Sequence, residues 1–469
     1  MKNRDLAKLR RELRSADSDL IAILARRDRL VRKIGKLKKR LNLAVVDPAI
    51  EKVAIDSFIA SAAEVGVDES YARRLISLVV GRSVEIQRRG RRRVTGRDSM
   101  LKQLSEMMLK AERKGRRLIR LDIGEPRFRT PRAVIREAKR YFDRTPMMLY
   151  GSSAGLPALL DAIAQRLNRQ YGTKLGRSNI LIFPGGRFAI FASILTTLSS
   201  LDRVAICQPA WPAYESCATF AGGRILAVPT RLEDHWDIDL TALEETLRLG
   251  PKMIVLNSPN NPTGKVLSSN MFDEIMELAR KYRTVVLSDE VYATYSSVPV
   301  QSVLEHLDTE SIYVNSFSKE FSMTGWRVAY AVAHEQRIAR MRRIVETSLT
   351  SVPEVIQRAA LAALKDTSAD AVTGRSSIRK RLNMACEELS RGGFEFHPPE
   401  GGFYVFPRMR RKGIDSEKFA KYLFDKYAVG VLPGTVFGEY PDFLRLAITE
   451  PEAAVRTGIR RIVKAMNEW

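Results

Sequence analysis

Apolar positions in the first ninety residues follow a helical rhythm. Leu6, Leu9, Leu13, Ala16, Leu20, Ile23, Leu30, Ile34, Leu37 and Leu41 step by three and four, the spacing of an a/d heptad seam. One step lacks an apolar residue, and Arg27 stands there. Residues 1–90 predict helices alone, with Gly35, Gly66 and Gly81 the only glycines before Gly90 and Pro48 the only proline. Residues 88–97 (Arg-Arg-Gly-Arg-Arg-Arg-Val-Thr-Gly-Arg) interrupt the pattern, and a basic linker is placed at 91–97. From 98 onward, helical patterns alternate with short apolar runs at Ile180–Phe183, Arg203–Cys207, Met253–Leu256, Thr284–Ser288 and Ile312–Val314. Alternation of this kind predicts an α/β fold with a largely parallel sheet. The expected organisation is therefore a helical domain at 1–90 and an α/β domain at 98–469.

Composition narrows the class. With 45% hydrophobic and 28% charged residues over 469 positions, the chain can bury a substantial core, and its length suggests more than one folding unit. No apolar run approaches the roughly 20 residues that span a bilayer. The start, Met1-Lys-Asn-Arg-Asp-Leu, enters a charged helical pattern without a signal-peptide core. Cys207, Cys217 and Cys386 show no CxxC spacing, which points to reduced thiols in the cytoplasm. His235, His306, His334 and His397 form no metal-ligand pattern, so no metal is expected.

The net charge of +24 is uneven. Residues 1–95 hold 24 Lys+Arg against 12 Asp+Glu, a net of +12. Such a field favours anionic partners, whether nucleic acid or small polycarboxylates. Arg27 in the seam carries the sharper implication, because a charge in a buried seam needs an opposite charge. Either it pairs with an internal Asp or Glu, or it awaits an anionic ligand. Lys38 lies 11 residues on, about three turns, and shares nearly the same face.

These residues carry a resemblance. Leu9-Arg10-Arg-Glu-Leu-Arg-Ser-Ala-Asp17, Ala25-Arg-Arg27-Asp-Arg-Leu-Val-Arg-Lys-Ile-Gly-Lys-Leu-Lys38, Val45-Val-Asp47-Pro-Ala-Ile-Glu51 and Ser83-Val-Glu-Ile-Gln87 resemble the all-helical chorismate mutases, over residues 5 to 88 without a gap. The resemblance implies a three-helix domain that intertwines with a second copy, the first helix lending its arginine to the partner's site. It implies that Arg10 (from the other chain) and Arg27 bind the two carboxylates of chorismate. Lys38 and Gln87 would donate to the ether oxygen, Asp47 and Glu51 orient the ring hydroxyl, and Ser83 lines the site. Ile50 departs from the family, which usually has an arginine just before the glutamate.

The second constellation is Ser316-Phe-Ser318-Lys319-Glu-Phe-Ser-Met-Thr-Gly-Trp-Arg327. It combines hydroxyls, an amine and a guanidinium around a turn after an apolar strand. That set suits a phosphate beside a nucleophilic amine. Asn257-Ser-Pro-Asn-Asn261-Pro-Thr-Gly264 follows one predicted strand and Ser288-Asp289-Glu-Val-Tyr292 ends the next. Ligand sites of open α/β sheets gather at such carboxyl ends.

Together these segments resemble fold-type I aminotransferases of the aspartate aminotransferase family, from about Leu101 to the C-terminus. The implied architecture is a large domain with a mostly parallel sheet plus a smaller α/β domain, the whole chain being α + α/β. The implied cofactor is pyridoxal 5'-phosphate (PLP), held by Lys319 as a Schiff base. The resemblance implies that Asp289 pairs with the pyridinium nitrogen, Asn261 and Tyr292 donate to the phenolic oxygen, and Trp211 stacks on the ring. Ser316, Ser318, Arg327 and the backbone of Gly186 and Arg187 would hold the phosphate, with Tyr150 supplied by the partner subunit. Arg445 would grip the substrate α-carboxylate, beside the backbone of Gly124. Some relatives carry a lysine two residues past the first glycine of a Gly-Gly motif, reaching a distal carboxylate; here Gly185-Gly186-Arg187 puts an arginine there. Arg127 and Arg129 are further candidates for that carboxylate, and surface charge is their other reading.

The leading expectation is a bifunctional enzyme of aromatic amino-acid synthesis, a homodimer or higher oligomer. It would convert chorismate to prephenate and transfer an amino group, from glutamate or aspartate, to prephenate or an aromatic 2-oxo acid. A second reading is a general aspartate/aromatic aminotransferase with a regulatory or dimerising helical domain. A third is a PLP-binding DNA-binding regulator. That one needs a winged helix-turn-helix, which the long seam from Leu6 to Leu41 does not fit, so no nucleic-acid or membrane partner is expected.

Overall fold

The computed structural model describes residues 2–41, 48–88, 97–145, 147–308, 310–366, 369–411 and 413–469. Asp47, Glu51 as a side chain, and the predicted linker short of Arg97 lie outside the described residues. The chain divides into two compact units, Met1–Val94 and Thr95–Trp469.

The first unit is three helices: α1 (Lys2–Arg40), α2 (Pro48–Glu64) and α3 (Glu69–Arg88). α3 packs against both others. Its small apolar centre is built from Val31, Ile55, Ala62, Ala72, Ile76, Val80 and Ile86. Gly35 lets α1 approach α3 closely, since a Cβ there would stand 3.1 Å from Gln87 Cγ. The predicted seam is present but uncovered within the chain: Leu9, Leu13 and Ile23 are each more than 60% exposed.

The second unit opens with α4 (Arg97–Arg113) and β1 (Ile119–Arg120). Its centre is a seven-stranded sheet of β2 (Ile180–Phe183), β3 (Arg203–Gln208), β4 (Arg224–Pro229), β5 (Met253–Asn257), β6 (Val285–Asp289), β7 (Ser311–Ser316) and β8 (Ala329–Ala333). Their order is β2-β8-β7-β6-β5-β3-β4. β3 pairs in parallel with β4 and β5, and β5-β6-β7 continue in parallel, whereas β8 runs antiparallel to both neighbours. Central strands β5, β6 and β7 are buried on both faces, which is why they read as unbroken apolar runs. One apolar core lies on each face of the sheet. A third core, including Leu382, Phe403, Phe419 and Ile462, belongs to the smaller α/β part, with its short sheet at Tyr404–Val405, Leu432–Pro433 and Leu444–Ala447.

Predicted and observed strands differ in two ways. The run at Thr284–Ser288 is a strand one residue later, Val285–Asp289. β4 and β8 went unanticipated: β4 alternates exposed and buried positions, and β8 is mostly alanine.

Candidate active site

The sheet register places the chemistry. Asn257 ends β5 opposite Asp289, which ends β6, and Ser316 ends β7. Three polar side chains thus stand at adjacent carboxyl ends, where loops leave a crevice. A cavity of about 330 Å³ opens there, with Asp289, Tyr292, Asn261, Ser316, Ser318 and Lys319 in its wall. Gly124, Gly186, Arg187, Trp211, Arg327 and Arg445 complete the set expected from one chain.

One end of the cavity is built for an anion. The helix Gly186–Thr197 begins at its wall, turning its N-terminal backbone and positive dipole end toward the cavity. Ser316, Ser318 and Arg327 line the same cavity. Arg327 adopts φ +56°, and Gly185 beside its guanidinium adopts φ +95°, a conformation that favours glycine.

Deeper, Asp289 is fully enclosed and pushed up to about 6, chiefly by burial. The Tyr214 hydroxyl donates to it at 2.7 Å and opposes that rise. Asn257 donates to the Asp289 carbonyl at 2.8 Å and accepts from the Asn261 N–H at 2.8 Å, which aims the Asn261 side chain. Lys319 is lowered to about 8, mainly by burial, with Glu125 opposing; its amine donates to the Gly124 carbonyl at 2.6 Å. An amine that loses its proton readily is a competent nucleophile.

Arg445 is only 4% exposed. It donates to the Asp122 carbonyl, and its Nη1 lies 3.4 Å from Asn261 Oδ1. Its Nε is buried without a partner. A buried, incompletely satisfied guanidinium is a site for a carboxylate. Tyr404 lies beneath it at 4.6 Å and shares a 3.0 Å hydrogen bond with the Tyr292 hydroxyl. Arg187 stacks over Trp211 at 4.6 Å. These residues suit PLP: a phosphate cradle at one end, a buried carboxylate for a ring nitrogen, two side chains for a phenolic oxygen, and an amine.

Tyr150 is 86% exposed in the single chain and does not line this cavity. Arg127 and Arg129 do not line it either. Arg127 instead pairs with Glu450 at 2.8 Å, so the expectation that these two arginines shape the pocket gives way to the surface-charge reading. Tyr214, Tyr404, Glu125 and, from α4, Leu101 and Ser105 were missed, and Asn257 was named without a role. Tyr214 had a signal, sitting three residues past Trp211 and hence near it at a helix start; Tyr404 had none.

In the helical unit, Arg27 is half-buried. It donates to the Val79 carbonyl at 3.1 Å and the Ser83 hydroxyl at 2.5 Å. Its hydrogen bonds go to neutral acceptors, while neighbouring Asp28 faces Arg82 at 3.5 Å. Burial lowers its pKa, so the charge is held at a cost. Gln87 Oε1 is buried without a partner. Lys38 is partly buried on the same helix as Arg27. Arg10 is fully separate: it is exposed and lies 17 residues up α1, about 25 Å along the axis. Ile50 is 66% exposed.

Comparison with known proteins agrees with this geometry. The family profile described as "Aminotransferase class I and II" matches residues 116–462, and that for "Chorismate mutase type II" matches residues 9–88. An aspartate aminotransferase of Sulfolobus acidocaldarius is 32% identical, covering 76% of this chain and 91% of its own. A probable aspartate/prephenate aminotransferase of Aquifex aeolicus is 34% identical, covering 76% and 92%. Among solved structures, aspartate aminotransferase of Thermus thermophilus with maleate superposes with a TM-score of 0.74 at 28% identity, covering 80% of this chain and all of that one. The chain belongs to the class I and II aminotransferases and carries a type II chorismate mutase domain ahead of the aminotransferase.

Proposed function

We propose that the chain is a bifunctional enzyme of aromatic amino-acid synthesis, with a mutase at 1–90, a basic linker at 91–97 and a PLP-dependent aminotransferase at 98–469. The observation that carries this reading is a half-buried Arg27 whose hydrogen bonds among the described residues go to neutral groups, together with a cavity that holds Arg445 and Arg187 besides the Arg327 of the phosphate end. Both sites suit a dicarboxylate.

In the mutase, converting chorismate to prephenate is a concerted rearrangement that needs no nucleophile. The protein holds a dianion in a compact conformer and stabilises charge growing on the breaking C–O oxygen. Arg27, with Arg10 from a second copy, binds the carboxylates. Lys38 and Gln87 donate to the ether oxygen, Asp47 and Glu51 orient the ring hydroxyl, and Ser83 holds Arg27.

In the aminotransferase, PLP when bound supplies an electron sink for the substrate carbon. Gly186, Arg187, Ser316, Ser318 and Arg327 hold its phosphate, with Tyr150 of a second copy. Asp289 keeps the ring nitrogen protonated, Asn261 and Tyr292 donate to the phenolic oxygen, and Trp211 covers the ring. Lys319 would anchor the cofactor, and its amine, once released, would move a proton at the substrate carbon. Arg445 binds the α-carboxylate beside Gly124, and Arg187 the distal carboxylate. The enzyme acts in the cytoplasm as a homodimer or larger homo-oligomer.

A second reading has support in the relatives named aspartate aminotransferase: oxaloacetate would satisfy the same two cations. An acceptor panel of prephenate, phenylpyruvate, 4-hydroxyphenylpyruvate and oxaloacetate, with glutamate or aspartate as donor, tests the proposal. Prephenate giving the highest kcat/KM supports it; oxaloacetate far ahead, with prephenate inert, overturns it.

A further inference from the structure

Behind the turn that carries Lys319 lies a second cavity, of about 410 Å³. Its volume falls within the usual range for small-molecule sites. It is enclosed by the helix Pro157–Tyr171, the segment 293–300, β7, β8 and the helix Ala369–Arg391, and shares no lining residue with the first.

Three charged side chains line it: Arg166, Arg375 and Glu320. Arg166 Nη2 stands 2.6 Å and Arg375 Nη2 3.4 Å from the same carboxylate oxygen, Glu320 Oε1. Two guanidiniums therefore share one acceptor, leaving one positive charge in excess among the three. The Glu320 side chain is 7% exposed. Arg375 Nε and the Thr294 hydroxyl are buried in the same wall and have no partner among the described residues. Unmade hydrogen bonds at buried donors are a cost that a native fold rarely leaves unanswered. Tyr171, Tyr313, Tyr330 and Asn315 add hydroxyl and amide groups to the lining, beside the apolar Leu167, Ala293, Val298 and Val300.

We infer that this cavity is a second anion site, taking a small oxyanion (a carboxylate or a phosphate) about the size of an amino acid. A carboxylate approaching Arg375 side-on would engage the unpaired Nε together with an Nη, the bidentate geometry guanidinium favours. That engagement turns Arg375 away from its long contact with Glu320. Glu320 follows Lys319 directly, and the Tyr295 hydroxyl donates to the Lys319 carbonyl at 2.8 Å, so the site adjoins the catalytic turn without entering the catalytic cavity. The inference is independent of which amino acceptor the enzyme uses.

The test is calorimetric titration of the full-length, PLP-loaded protein, its active site first blocked with aminooxyacetate. Malonate and inorganic phosphate are the probes, against sodium chloride at matched ionic strength. The expected result is saturable binding of at least one oxyanion at one site per chain, weakened about tenfold or more by Arg375→Gln, since charge-assisted bonds are lost. Thr294→Val, which leaves the ion-pair cluster intact, weakens it by a smaller factor. Arg445→Gln leaves it unchanged. Malonate alone binding assigns a carboxylate site, and phosphate binding a phosphate-competent one. Absence of saturable heat with either probe overturns the inference, as does binding that both cavity variants leave intact.

Discussion

The two units of this chain finish their cores in different ways. In the aminotransferase unit the sheet is covered on both faces, and its central strands expose nothing apolar. In the helical unit the longest apolar stripe, from Leu6 to Leu41, faces outward along α1. A regular heptad seam left open is an unmet demand for a partner helix. The same contrast holds for function. One cavity gathers from a single chain the residues proposed to meet a phosphate, a ring and a carboxylate, with Tyr150 left outside. The helical site brings Arg27, Ser83 and Gln87 together but leaves Arg10 about 25 Å away along the helix.

The comparison can be broken most severely at Lys319. Lys319→Ala should abolish transamination and the visible absorbance of lysine-bound cofactor, while mutase turnover persists; absorption spectra and the two assays check this. Next in size, Lys38→Ala or Gln87→Ala should slow the mutase about 10²–10³-fold, the usual cost of losing a donor to developing negative charge. Transamination by those variants should be unchanged.

The open seam gives a third test. Leu13→Arg with Leu20→Arg alters side chains exposed in the single chain, so it should not unfold α1. If a second copy covers the seam, the pair of charges breaks that assembly, and mutase activity should fall while transamination continues. Sedimentation should report a smaller oligomer. Unchanged mutase activity would mean that nothing docks there.

A smaller effect is expected at Glu290. Burial pushes its carboxyl from 4.5 up to about 7, and Oε2 has no partner. Because the folded value lies above the unfolded one, its stabilising contribution is complete below pH 4.5 and is lost as pH rises through about 7. Glu290→Gln should remove that loss, making the variant the more stable by on the order of 2–3 kcal/mol at alkaline pH. Thermal unfolding at acidic and alkaline pH measures it.

Much of the catalytic architecture was legible because the sheet writes its central strands as apolar runs and ends them in Asn257, Asp289 and Ser316. Lys319 followed from its local context, and Arg445 from the family resemblance. Tyr404 was illegible, because its meaning lies in reaching Tyr292 from 112 residues away. β8 escaped notice since an alanine-rich strand carries a helix former's composition. The seam was read correctly as a periodicity, yet no periodicity says whether the chain covers its own seam. Arg127 misled for a related reason: its partner, Glu450, is distant in sequence.

The central claim is that two sites in one chain act in succession on one carbon skeleton. It is tested most directly by supplying the PLP-loaded protein with chorismate and glutamate or aspartate and identifying the amino-acid product, with Lys38→Ala run alongside. The unaltered chain should form an aminated product from chorismate, and Lys38→Ala should form it at comparable rate only when fed prephenate. Amination from chorismate at an undiminished rate by Lys38→Ala would contradict the claim.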